Sequence, residues 1–221
     1  MAFCPSGLSS EAIELSASAL LDDFYGSSSK RTYPIQVESI AEFHLGYDLV
    51  FTDEGLYQDP NFLGGICFIK NEIFINAALE NYEGRMAFTI AHEIGHHVLH
   101  KKAYLEYLAG EAPEILCREL ANKPIIEKQA DQFAAALLMP RNFLLEHWPF
   151  GEIRDVYQAF QCAQKFKSKH GLDNVSTSAM VNRLIDLGIF KDMPYQTGKP
   201  KRNKQFNPLS ILKYKIKKLL K

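Results

Sequence analysis

His92-Glu93-Ile94-Gly95-His96 is the stretch from which the rest of the chain is read. It sits in a run, 86–99, whose apolar residues recur at helical spacing, and the spacing predicts a helix. Four residues of helix turn the chain by about 400°, so His92 and His96 project from one face, one turn apart. Two imidazoles placed that way suit one zinc ion. Glu93 lies about 100° around the helix, where its carboxylate reaches a water at the metal without having to ligate. A zinc peptidase needs that arrangement: the ion acidifies the water and polarises the scissile carbonyl, and the glutamate moves the proton. The pentapeptide is short, and a helix carrying two ordinary histidines is the bland alternative.

A catalytic zinc needs a third protein ligand and an open fourth position. Three side chains compete for the role. His100 lies eight residues past His92, a rise of about 12 Å, too far for both to meet one ion comfortably. Chains that use a downstream histidine bend the helix at a glycine three past the second histidine, and Leu99 stands there instead. His97 faces about 100° away from His96. Glu127 opens a second helical run, 125–138, preceded by Pro124 and closed by Pro140, with Ala130, Phe133, Ala134, Leu137 and Leu138 at helical spacing. Glu127 and Asp131 share one face, as a ligand and an acceptor for a ligating imidazole's free N–H would. Their alternative reading is a solvated acidic edge paired with Lys123 or Lys128.

The two stretches taken together resemble the ImmA/IrrE family of metallo-endopeptidases. They are Arg85-Met86-Ala87-Phe88-Thr89-Ile90-Ala91-His92-Glu93-Ile94-Gly95-His96 and Glu127-x-x-Ala130-Asp131-x-Phe133-Ala134-Ala135-x-Leu137-Leu138-Met139-Pro140. The hairpin from Gly65 to Asn76 and the segment from Val175-Ser176 to Leu187-Gly188 are similar to that family too, so the likeness spans about residues 33 to 190. The resemblance implies an α+β, mostly helical, zincin-like domain with a small hairpin ahead of the active-site helix. It implies a Zn2+ site with His92, His96 and Glu127 as ligands and Glu93 as catalytic base. It also implies protein substrates of the helix-turn-helix repressor class or related regulators.

The remainder of the chain fits a peptidase domain with appendages. At 221 residues, 47% apolar and 23% charged, it is long enough for a substantial core and typical of globular proteins. Residues 1–32 read as a lead helix and linker, 33–192 as the peptidase domain and 193–221 as a basic tail. Ser9 or Ser10 caps a helix over 11–24, and Gly26-Ser27-Ser28-Ser29 breaks it. A short helix over 37–44, a strand over 49–51 and a hairpin of 66–69 with 73–76, turning at 70–72, follow. An edge strand beside a cleft can hold an extended peptide, or the sheet merely backs the helix. A connecting helix over 105–120, broken near Gly110 and Pro113, joins the two motif-bearing helices. Tyr104 and Tyr107 either reach the cleft or pack. His147 and Trp148 read as surface or lid residues, and His44, His147 and His170 as structural.

Amphipathic helices over 154–169 and 179–187, the second capped by Ser176 and ended by Gly188, have the shape of a helix-turn-helix. Asn182 and Arg183 are the second helix's only groups suited to reading bases, so packing is its expected role. The tail, 193–221, holds nine Lys or Arg residues and no acid, which leaves a net −10 on the rest against −1 overall. Its pattern is a basic amphipathic helix, suited to the acidic body, an anionic membrane or nucleic acid, or to a solvated tail. The four scattered cysteines, the lack of Lys or Arg before Lys30 and the lack of a long apolar run point to a cytoplasmic chain. The rival to the enzyme is a catalytically idle metal-binding module that grips a repressor or DNA. A purely structural zinc site is less apt, because closed sites favour cysteine and leave Glu93 without a purpose.

Overall fold

The computed structural model describes residues 8–27, 30–52, 62–107, 123–151, 153 and 155–190. The first helix, α1 (Ser10–Tyr25), starts where the Ser9 hydroxyl accepts from the Ala12 amide, 3.2 Å away, and stops where Gly26 takes φ 81°. It buries Ile13, Ala17, Leu20 and Leu21 against the helices that bear the site. Residues 37–44 form one short rod, α2 (Val37–Ser39), running on as a π-helical turn, Ile40–His44.

Strands β1 (Asp48–Thr52), β2 (Gly64–Cys67) and β3 (Glu72–Asn76) make a sheet in the order β1-β3-β2. β3 is central, parallel to β1 (Asp48 beside Glu72) and antiparallel to β2 (Gly64 beside Ile75). Ile73 and Ile75 point into the core with Ala87, Ile90 and Ile94. The hairpin turns earlier than its spacing predicts. β2 ends at Cys67, because Phe68 leaves the strand to pack edge-on against Tyr104 and Asn71 turns the chain at φ 55°. Asparagine tolerates that left-handed conformation.

Two long helices follow, α3 (Glu83–Tyr107) and α4 (Lys123–Leu138), and they pack on each other more extensively than any other pair. Gly95 sits at their crossing: a Cβ there would stand 3.2 Å from Ala130 Cα and 3.2 Å from the Phe133 ring. A side chain at 95 would hold the helices apart. The fold is therefore α+β and mostly helical, as expected. α3 continues to Tyr107, and the remainder of the connecting helix expected over 105–120 lies outside the described residues.

α5 (Arg141–His147), α6 (Val156–His170) and α7 (Thr177–Asp186) close the core. Trp148 is no lid: its ring packs on Phe150, Phe166 and Phe190, with centroids 5.0 to 5.5 Å apart. The inward face of α6 is Ala159, Cys162, Ala163 and Phe166, with Val156 and Phe160 half-buried at its margin. The Ser176 hydroxyl accepts from the Ala179 amide, and Gly188 follows α7 at φ 69°. Arg183, the residue of α7 best suited to reading DNA, is buried. Its guanidinium grips both carboxylate oxygens of Glu14 on α1, and its Nε–H donates to the Met139 carbonyl at 3.1 Å. Among the described residues no helix is long and apolar enough to cross a membrane. The basic tail, 193–221, lies outside the described residues.

Candidate metal centre

α3 presents His92 and His96 one above the other, ring centroids 4.8 Å apart, and α4 brings Glu127 to them. The two Nε2 atoms are 3.0 Å apart. Glu127 Oε2 lies 3.3 Å from His92 Nε2, and its other oxygen 4.0 Å from His96 Nε2. One ligand atom from each of the three residues falls within 4.8 Å of the others, a group able to hold a metal ion. The other competitors point elsewhere. His97 accepts from the Tyr47 hydroxyl at 2.8 Å, on the side of the helix where Lys101 donates to the same oxygen. His100 is wholly buried one turn beyond His96.

The far nitrogens of the pair are held differently. His92 Nδ1–H donates to Asp131 Oδ1 at 2.9 Å, since a carboxylate can only accept. Asp131, one turn after Glu127 on α4, thus holds the His92 nitrogen that faces away from the cluster. His96 Nδ1 lies 3.1 Å from His100 Nδ1, and His100 Nε2 lies 3.0 Å from Gln129 Oε1. Neither His100 in this role nor Gln129 was anticipated. The available signal was His100's place on the same stripe, one turn after His96.

Glu93 is buried beside this cluster. Gly64, at the start of edge strand β2, is its neighbour: a Cβ there would stand 3.5 Å from Glu93 Oε1. Burial raises the Glu93 carboxyl to about 7, the positive charge of His92 opposing the rise and the negative charge of Glu127 adding to it. Burial pushes His92 down but is outweighed by its hydrogen bonds to Asp131 and Glu127 and by the Glu93 charge, which bring it to about 10. His96 falls well below the ordinary histidine value, through burial and the neighbouring His92 and His100. The cluster thus gathers acidic groups around His92 and keeps His96 neutral. Tyr104, expected either at the cleft or in packing, is buried against Phe68, and the side chain of Tyr107 lies outside the described residues.

A comparison with curated proteins finds no match. The model of the Peptidase_M78 family, described as the IrrE N-terminal-like domain, matches residues 48–172, a span inside the 33–190 of the resemblance. That span is more than half of the chain and carries every side chain of the cluster, and the chain belongs to this ImmA/IrrE family of metallopeptidases.

Proposed function

We propose that this chain is a zinc-dependent endopeptidase, with His92, His96 and Glu127 as zinc ligands and Glu93 as general base. The convergence of two imidazole nitrogens and a carboxylate within 4.8 Å, beside a buried glutamate, carries the reading. Tetrahedral zinc with bonds of about 2.0 to 2.1 Å spaces its ligand atoms about 3.3 Å apart. The 3.0 and 3.3 Å separations here fit that span. Two neutral imidazoles and one carboxylate, with no thiolate, form a donor set of catalytic rather than structural zinc. Zinc held there would supply Lewis acidity and bring a water's pKa down to about 7.

Glu93 accepts the proton of the attacking water and returns it to the leaving amine. Burial suits it to the task, because a base works best with a pKa near the working pH. Asp131 keeps the lone pair of His92 Nε2 on the cluster. β2 is an edge strand whose first residue adjoins Glu93, so an extended peptide paired along it would lie with its backbone at the reacting groups.

Family resemblance supports a substrate of the helix-turn-helix repressor class or a related regulator, cut in the cytosol. The free, buried Cys67 and Cys162 agree with a reducing compartment. In the competing reading, an idle module that grips a repressor or DNA through α7 and the tail, the α7 part loses support from the burial of Arg183.

Incubation of the purified chain with candidate repressors tests the proposal. Cleavage that a chelator stops and zinc restores is expected. Glu93→Gln should lower its rate by at least about 100-fold while zinc stays bound. Metal-independent binding without cleavage would favour the module.

A further inference from the structure

We propose that His100 and Gln129 are positioning residues that set the tautomer of His96 through a buried, uncharged relay. The inference rests on the reading of His92 and His96 as metal ligands. Gln129 Oε1 is a carbonyl oxygen and only accepts, so at 3.0 Å it requires a proton on His100 Nε2. A neutral imidazole protonated there has a bare Nδ1. The proton in the 3.1 Å contact between His100 Nδ1 and His96 Nδ1 therefore belongs to His96. A neutral His96 protonated at Nδ1 leaves Nε2 bare, and that nitrogen faces His92 Nε2 and Glu127. The orientation of one carboxamide, two rings away, thus determines that His96 offers a lone pair to the cluster. The opposite setting, with the carboxamide turned and both rings reprotonated, would put a hydrogen where the lone pair must be.

The two halves of the site also differ in dielectric. His92 is oriented by a carboxylate whose side chain is 59% exposed, where keeping a charge is cheap. On the His96 side, His100 is 0% and Gln129 4% exposed. An ionised carboxylate there would lose its hydration with little to replace it. A neutral histidine and a carboxamide provide the same direction of hydrogen bonding without that penalty. His100 is too far along α3 to share the ion with His92, so its place on the stripe makes it a support for a ligand rather than a ligand.

Zinc affinity, measured by competition with a chromophoric chelator, tests the relay, alongside the melting temperature of each metal-free variant. His100→Phe keeps the volume and removes the acceptor, and the dissociation constant should rise about 10- to 100-fold. Gln129→Met, which leaves both imidazoles in place, should raise it about 10-fold. It decides the matter if His100→Phe does not fold. His100→Gln keeps an acceptor toward His96 and a donor toward Gln129, and should bind zinc more tightly than His100→Phe. A packing role alone would lower melting temperatures and leave zinc affinity unchanged. Wild-type affinity in both His100→Phe and Gln129→Met would overturn the relay, provided that Glu127→Gln, run alongside, has lost zinc. Unchanged affinity in Glu127→Gln as well would instead remove the metal site on which the relay rests.

Discussion

Gly64 and Glu93 meet across the seam between the sheet and α3, so closely that a Cβ on Gly64 would lie 3.5 Å from the carboxylate and 2.5 Å from Thr89 Cγ2. The edge strand can lie against the helix only because residue 64 has no side chain. Gly64→Ala should force β2 away from Glu93, lowering kcat/KM about 10-fold or more with zinc affinity unchanged, since overpacked contacts of this kind cost about 1 to 3 kcal/mol. Thr89→Ser removes the methyl that blocks the new Cβ but leaves the Phe74 carbonyl oxygen 3.1 Å from it, so the double variant should recover part of the activity. Steady-state kinetics on the single and double variants checks this; equal loss in both would place the effect elsewhere.

Gly95 does for the two helices what Gly64 does for the strand. Ala at 95 would gain about 1 kcal/mol of helix propensity but must push against Ala130 Cα and O at 3.2 and 3.3 Å. Backbone atoms yield less readily than side-chain tips, so the overpacking cost of about 1 to 3 kcal/mol should win. Because His96 and Glu127 lie on opposite sides of that crossing, Gly95→Ala should lower both melting temperature and zinc affinity. Calorimetry with a zinc titration separates this outcome from a simple helix stabilisation, which would raise the first and spare the second.

Arg183 ties α7 to α1 and to the end of α4 through Glu14 and the Met139 carbonyl. Arg183→Met leaves the Glu14 carboxylate, 22% exposed, without its partner. Breaking a buried pair from one side costs about 3 to 5 kcal/mol, and denaturant titration should show a loss of that order. Affinity for duplex DNA should not change, because the guanidinium faces the protein.

Alkaline pH should destabilise the fold through its tyrosines. Burial raises the Tyr33 hydroxyl to about 12, against the weaker opposing pull of Arg31, and raises Tyr47 further. In the unfolded chain these groups ionise near 10, so above that pH the folded state holds more protons than the unfolded one and stability falls. The stability these tyrosines contribute is fully present below about pH 10 and declines as pH climbs through the folded value. Melting curves at pH 9 and 11 should show a smaller drop for Tyr33→Phe than for the wild type, since phenylalanine can still stack on Phe143.

What could be read before the structure was mostly local. The helical stripe of 86–99, the cap at Ser176, the glycine after α7 and the turn near Asn71 are each specified within a few residues. The parallel pairing of β1 with β3 was not legible, because the strand over 49–51 has nothing nearby in sequence to name its partner. In the cluster, spacing alone suggested that His92 and His96 share a face and Glu127 shares one with Asp131. It took packing to show that the two faces meet. His100 was set aside by a distance argument that is sound for direct ligation but silent about a support one shell out. Gln129 had no signal, since a buried amide on α4 differs from an exposed one only in what the neighbouring helix places against it.

X-ray absorption at the zinc edge, on protein loaded with one equivalent of zinc, tests the central claim most directly. The expected spectrum has four nitrogen or oxygen neighbours at about 2.0 to 2.1 Å, two of them imidazoles, and the zinc is lost in Glu127→Gln. A sulfur neighbour at about 2.3 Å, or a spectrum unchanged in Glu127→Gln, would contradict the site described here.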